Sequence, residues 1–131
     1  MPKPYREFII TRPDHSDTVK LRVYKTLRGM TAKTKEKNYT AIFQTTHGID
    51  CDDDGFFTSS MYGTIGLNEQ HMNLAAVSHE CIHAAFAWDR RINRYTGSHE
   101  AHDMEERFAW YYEWLLAEVL KTLKKSGYKV K

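Results

Sequence analysis

Apolar and polar residues alternate along REFIIT (6–11) and TVKLRVYKT (18–26). Val19, Leu21 and Val23 interleave with Lys20, Arg22 and Tyr24, the period of two that predicts half-buried strands. RPDHSD lies between the runs and supplies turn chemistry, so the pair reads as a hairpin. TLRGMTAKTKEK (26–37) carries Leu27, Met30 and Thr34 at helical spacing and predicts a short helix, with Gly29 working against it. YTAIFQTT (39–46) predicts a third strand, HGIDCDDDGFFTSSMYG (47–63) a long loop, and TIGLN (64–68) a short fourth strand.

The period then changes. From about Glu69 to Arg91, Leu74, Val77, Cys81, Ala85 and Trp88 recur every three or four residues, which marks one buried stripe of a long helix. INRYTG suits the end of that helix, and Ser98 can cap a second one running to about Lys125, with Met104, Phe108, Tyr111 or Tyr112, Leu115, Val119 and Leu123 as its apolar series. The lysines of KTLKKSGYKVK complement the dipole at the helix end and are expected to fray into solvent. Strands followed by helices predict an α+β domain, a small mixed sheet packed on two long helices.

Size and composition agree with one domain over residues 1–131: 131 residues with 41% hydrophobic and 13% aromatic content can bury a modest core. No apolar run reaches membrane-spanning length and MPKPYREFII does not read as a signal peptide, so a cytoplasmic protein is expected. Cys51 and Cys81 are too few for a disulfide framework and read as reduced thiols. The net charge of +2 is uneven: residues 1–37 carry ten Lys/Arg against four Asp/Glu, and residues 38–131 nine against thirteen. A basic N-terminal third could serve nucleic acid, but basic residues at alternate strand positions more simply solvate an outer face.

The chemistry concentrates in AAVSHECIHAAFAW (75–88), which holds HExxH. Residues i and i+4 of a helix project from the same face one turn apart, so His79 and His83 can both reach one ion at about 2.0 to 2.1 Å. Glu80 falls beside that ion, where a glutamate accepts a proton from the attacking water and delivers it to a leaving amine. The pattern predicts a zinc site with one Zn2+ per chain. A catalytic zinc needs a third protein ligand and keeps a fourth position for water. On the second helix His99, His102 and Glu106 share a face, whereas Glu105 points about 100° away. Glu106 is the preferred ligand, since Ala109 three residues later would let this helix approach the first closely. His102 is the alternative ligand, or with His99 and Arg107 a contact for substrate or an oxyanion. If the TIGL strand has a free edge it can hold an extended peptide by backbone pairing, which makes Ile65 and Gly66 candidate substrate contacts.

YGTIGLNEQHMNLAAVSHECIHAAFAW followed by MEERFAWYYEWL resembles small phage and prophage zincin-like metallopeptidases, related in outline to the ImmA/IrrE and SprT-type gluzincins. VKLRVYKTLRGM is similar to the strand-to-helix entry of that phage group, so the resemblance spans roughly residues 17–120. It implies a minimal zincin-like fold, zinc on His79, His83 and Glu106, and Glu80 as general base. Glu105 beside Glu106 leaves room for the ligand to shift by one residue. The resemblance names no substrate.

Other features are weaker. Asp50, Asp52, Asp54 and Gly55 match the first half of a calcium loop, but its twelfth position is Met61, which offers no bidentate carboxylate. Cys51 could join the histidines as in peptide deformylase, whose other motifs are missing. Cys81 faces away from the metal side and reads as core. Trp88, Trp110, Trp114, Tyr111 and Tyr112 resemble a base-stacking set, yet at helical spacing they fit inter-helix packing better. The function expected is a zinc metallopeptidase acting on a peptide or protein substrate, in the host cytoplasm if the chain is phage-encoded. The alternatives are a non-catalytic zinc-containing protein that binds nucleic acid or a protein partner, and a metal-dependent amidase on a non-protein substrate.

Overall fold

The computed structural model describes residues 3–12, 17–45, 61–96 and 101–131, with the backbone alone for 91–96 and 101–104. Strands β1 (Tyr5–Thr11) and β2 (Thr18–Tyr24) are followed by helix α1 (Leu27–Thr34) and strands β3 (Ile42–Thr45) and β4 (Met61–Asn68). A 3-10 turn (Glu69–His71) leads into helices α2 (Leu74–Thr96) and α3 (Ala101–Lys125). The result is a mixed α+β domain whose four strands are ordered β1-β2-β4-β3.

The predicted hairpin is present: β1 and β2 pair antiparallel from Tyr5↔Tyr24 to Thr11↔Thr18. β4 begins three residues earlier than its pattern indicates, and Met61, Tyr62 and Gly63 are strand. It lies parallel to β2 and antiparallel to β3, so it is an inner strand. The expectation of a free TIGL edge is therefore corrected. Ile65 pairs with Leu21 on one side and Phe43 on the other, Gly66 with Arg22 and Ile42, and both are buried. Among the described residues, the edge on this side of the sheet is β3.

Gly63 and Gly66 explain how β3 fits. A Cβ on Gly63 would overlap the Phe43 ring and stand 2.9 Å from the Gln44 carbonyl oxygen, and one on Gly66 would stand 3.0 Å from Ile42 Cγ2. Glycine within a strand marks such close approach. The strand alternation sends Val19, Leu21, Val23, Ile65 and Leu67 to one face, where α2 and α3 cover them. α1 covers part of the opposite face through Met30, packed with Tyr24 and Ile42. Thr26 caps α1 by accepting from the Gly29 N–H at 2.9 Å, which offsets the glycine's low helix propensity.

The long helices bury the stripes their sequences mark, Val77, Cys81, Ala84, Ala85 and Trp88 from α2 and Tyr111, Leu115, Val119 and Leu123 from α3. Leu74, assigned to the same stripe, is half exposed at the first turn. Trp88 stacks flat on Tyr111, 4.1 Å between centroids, and donates from Nε1 to Asp17 at 3.1 Å. The Tyr111 hydroxyl is hydrogen-bonded to that of Tyr62. Arg12, 7% exposed, lies over Trp110 and Trp88, its guanidinium 4.1 and 5.5 Å from their ring centroids. Trp88, Tyr111, Tyr112 and Trp114 pack into or against the core as expected, whereas Trp110 is half exposed.

The tail does not fray. Gly127 takes φ +91° after α3, the Tyr128 N–H donates to the Leu123 carbonyl and the Gly127 N–H to that of Lys124. This Schellman turn sends the chain back, where Tyr128 and Val130 pack on the core. The Lys131 carbonyl accepts from the Leu74 N–H at 2.8 Å, and its N–H donates to Met72. No helix among the described residues is long and apolar enough to cross a membrane.

Candidate functional site

Asn73 opens the helix that carries the site, its Oδ1 accepting from the Ala76 N–H at 2.8 Å as an N-cap. With Val77, Cys81, Ala84 and Ala85 turned to the sheet, the helical period turns His79, His83, Phe86 and Arg90 outward as a neighbouring stripe. The histidines converge: their Nε2 atoms are 3.1 Å apart and their rings meet edge-on at 73°. Both side chains are exposed, that of His79 by 67%.

Glu80 differs in surroundings. Its side chain is 7% exposed, with Oε1 4.0 Å from His79 Nε2. Burial pushes its carboxyl above the ordinary carboxylate range, and the charge of a protonated His79 acts in the opposite direction. A carboxylate held there binds a proton more strongly than one in water, a property suited to a general base. Cys81 faces the core, and burial pushes its thiol up to about 12, so it is no thiolate ligand at neutral pH.

His79, Glu80, His83, Phe86 and Arg90 form one wall of a groove of about 950 Å3, and residues 41–45 at the β3 edge form another. Tyr39 stands 53% exposed at the same groove. Sequence reasoning missed the part played by β3 and by Arg90. The spacing 79, 83, 86, 90 carried the signal for Arg90, since it continues the histidine face by two turns.

Among the described residues no third candidate ligand is brought to this pair, and no three of His, Cys, Asp and Glu gather as a metal group. Glu105, Glu106 and Ala109 are exposed, and α3 meets α2 through other residues. Phe108 packs on Phe86 at 4.5 Å, Tyr111 on Trp88, and the Tyr112 hydroxyl bonds the Ser78 hydroxyl. The close approach expected at Ala109 is thereby corrected. The face of α3 that is buried is set by its apolar stripe, and Glu106 stands about 160° around the helix from Phe108. Arg107 donates from Nε to Asp89 at 2.8 Å and fastens the two helices. The acidic segment 50–55, Ser98, His99 and the His102 side chain lie outside the described residues.

Compared with protein-family models, curated proteins and solved structures, the chain matches none.

Proposed function

We propose that this protein is a zinc-dependent hydrolase of the zincin type that cleaves peptide bonds, with His79 and His83 as metal ligands and Glu80 as general base. The observation that carries the reading is the 3.1 Å convergence of the two Nε2 atoms beside a buried carboxylate on the wall of a groove. Two nitrogens bound to one tetrahedral ion at 2.0–2.1 Å lie roughly 3.3 Å apart, so the pair fits as a bidentate site. Bound there, zinc supplies Lewis acidity that polarises a carbonyl and makes water nucleophilic near neutral pH.

The chain's own groups have distinct tasks. Glu80 takes a proton from the water whose oxygen attacks the carbonyl carbon, and returns it to the amine nitrogen as the C–N bond breaks. The β3 edge holds an extended substrate by backbone pairing, in the part first assigned to Ile65 and Gly66. Arg107 is engaged by Asp89, so donors for the developing oxyanion come from His99, His102 or Tyr39. The third ligand is Glu106, His102 or His99. Zinc content in Glu106→Gln, His102→Ala and His99→Ala separates them, and Glu105→Gln tests a ligand shifted by one residue. The expected setting is the cytoplasm, that of the host if the chain is phage-encoded.

The deciding comparison is between the zinc-loaded parent and Glu80→Gln, incubated with host-cell proteins and peptide pools and analysed by mass spectrometry. The variant should keep zinc and lose 100-fold or more in cleavage rate, on the order of a general-base contribution. Full activity in Glu80→Gln refutes the reading. A zinc-loaded parent that cuts no peptide points instead to an amidase if it hydrolyses non-peptide amides, and to a binding protein if it hydrolyses nothing.

A further inference from the structure

We infer that Arg90 selects an acidic side chain about three residues to the amino side of the bond that is cleaved. The inference rests on the hydrolase reading above and adds the class of substrate. It follows from the direction in which three elements run.

The chain leaves β4 at Asn68, turns, and enters α2 at Leu74, so α2 runs back along the sheet. The aromatic contacts agree: Trp88 near the far end of α2 stacks on Tyr111, which bonds Tyr62 near the start of β4. Trp88 also donates to Asp17, next to Thr18, whose partner in the sheet is Met61. β3 is antiparallel to β4, from Ile42↔Gly66 to Thr45↔Gly63. The Arg90 end of α2 therefore lies toward Thr45, the carboxy-terminal end of β3. A peptide pairing antiparallel with β3 has its amino-terminal residues at that end.

Spacing sets the subsite. His83 and Arg90 are seven residues apart, about 10 Å along a helix, and a strand covers that distance in about three residues. Phe86 lies between them, 54% exposed and packed on Phe108, and gives the intervening stretch an apolar floor. Arg90 is exposed at the groove, and the neighbouring carboxylate of Asp89 is buried and ion-paired with Arg107. Lys20 also lines the groove, but it alternates with Val19 and Leu21 and so lies on the sheet face away from α2. Glu36 also lines it, after the end of α1, which is joined to β3 by the Gln44 Nε2 hydrogen bond to the Thr34 carbonyl. Gln44 points to the sheet face opposite Phe43, so Glu36 approaches from the side away from α2. A guanidinium is suited to this task, because its planar fork can bind a carboxylate by two hydrogen bonds.

The test uses fluorescein-labelled decapeptides that differ only in Glu, Gln or Lys three residues before a common bond. Binding to the zinc-loaded protein is read by anisotropy, and cleavage by mass spectrometry. The Glu peptide should bind and be cut about 2- to 5-fold better than the Lys peptide, the scale of a solvent-exposed ion pair. Arg90→Glu should invert the order. Arg90→Gln, the milder change, should abolish the preference if the charge reversal harms folding. Lys33→Glu, which changes net charge equally on exposed α1, should leave it intact. No preference in the parent, or an unchanged preference in Arg90→Glu, overturns the inference while cleavage itself leaves the hydrolase standing. Acid-selective binding without cleavage has the opposite meaning: it supports Arg90 and removes the peptidase. Neither binding nor cleavage removes both.

Discussion

Zinc should raise the melting temperature of this protein, and His83→Ala should erase the rise. A separation of 3.1 Å between the Nε2 atoms, with bonds of 2.0–2.1 Å, corresponds to an angle at the ion of about 100°, close to tetrahedral. The site thus needs little rearrangement in its first two ligands. Free zinc buffered at about 100 times its dissociation constant stabilises the folded state by roughly 2.7 kcal/mol. An unfolding entropy of about 2.1 cal/mol/K per residue gives roughly 0.28 kcal/mol/K for a chain of this length, so the shift is about 10 °C. Alanine at position 83 leaves His79 and one further ligand, too few to hold the ion tightly, and the shift should fall below about 2 °C at the same zinc level. Both rings are exposed, so the zinc-free variants should melt close to the parent. Differential scanning fluorimetry in a zinc buffer, with metal content by mass spectrometry, measures each quantity. If His79→Ala and His83→Ala keep the parent's shift and stoichiometry, zinc binds elsewhere and the site is wrong.

Glu80→Gln should make the zinc-free protein more stable at pH 7 and not at pH 4. A carboxyl raised above its ordinary value binds its proton more tightly in the folded state, so the parent loses stability as pH climbs past about 4.5. Paired melts from pH 4 to 8 in chelator read this, and an equal difference at both ends would contradict it. Gly63→Ala should destabilise by about 1–3 kcal/mol in urea, through overlap with the Phe43 ring and the Gln44 carbonyl. Phe43→Ala should recover part of that loss; an unperturbed Gly63→Ala midpoint would show that β3 does not lie as described.

What the sequence disclosed depended on periodicity. β1 and β2 alternate cleanly and α2 and α3 carry apolar stripes long enough to identify their buried faces, so these elements and the 79/83 pair were legible. The position of β4 was not. Ile65 and Leu67 alternate equally well in an edge or an inner strand, and only pairing on both sides distinguishes them. Gly63, taken as the end of a loop, is the close approach that admits Phe43. For Glu106, spacing from His99 and His102 does not say which side of the helix is buried. Measured from Phe108 and Leu115 instead, the same helical period turns it toward solvent. The folded-back tail was hidden because Tyr128 and Val130 are only two apolar residues among lysines.

The backbone pairing of Lys131 with Met72 and Leu74 ties the exit of α3 to the entry of α2. An amide at the first turn of a helix has no acceptor within its own helix, and here the Leu74 N–H finds one beyond the end of α3. In hydrogen exchange, the amide protons of Leu74 and Lys131 should therefore open together as one cooperative unit. Loosening Tyr128 or Val130 would release Leu74 at the same moment, and the histidine turn that begins five residues later would inherit whatever order that union supplies.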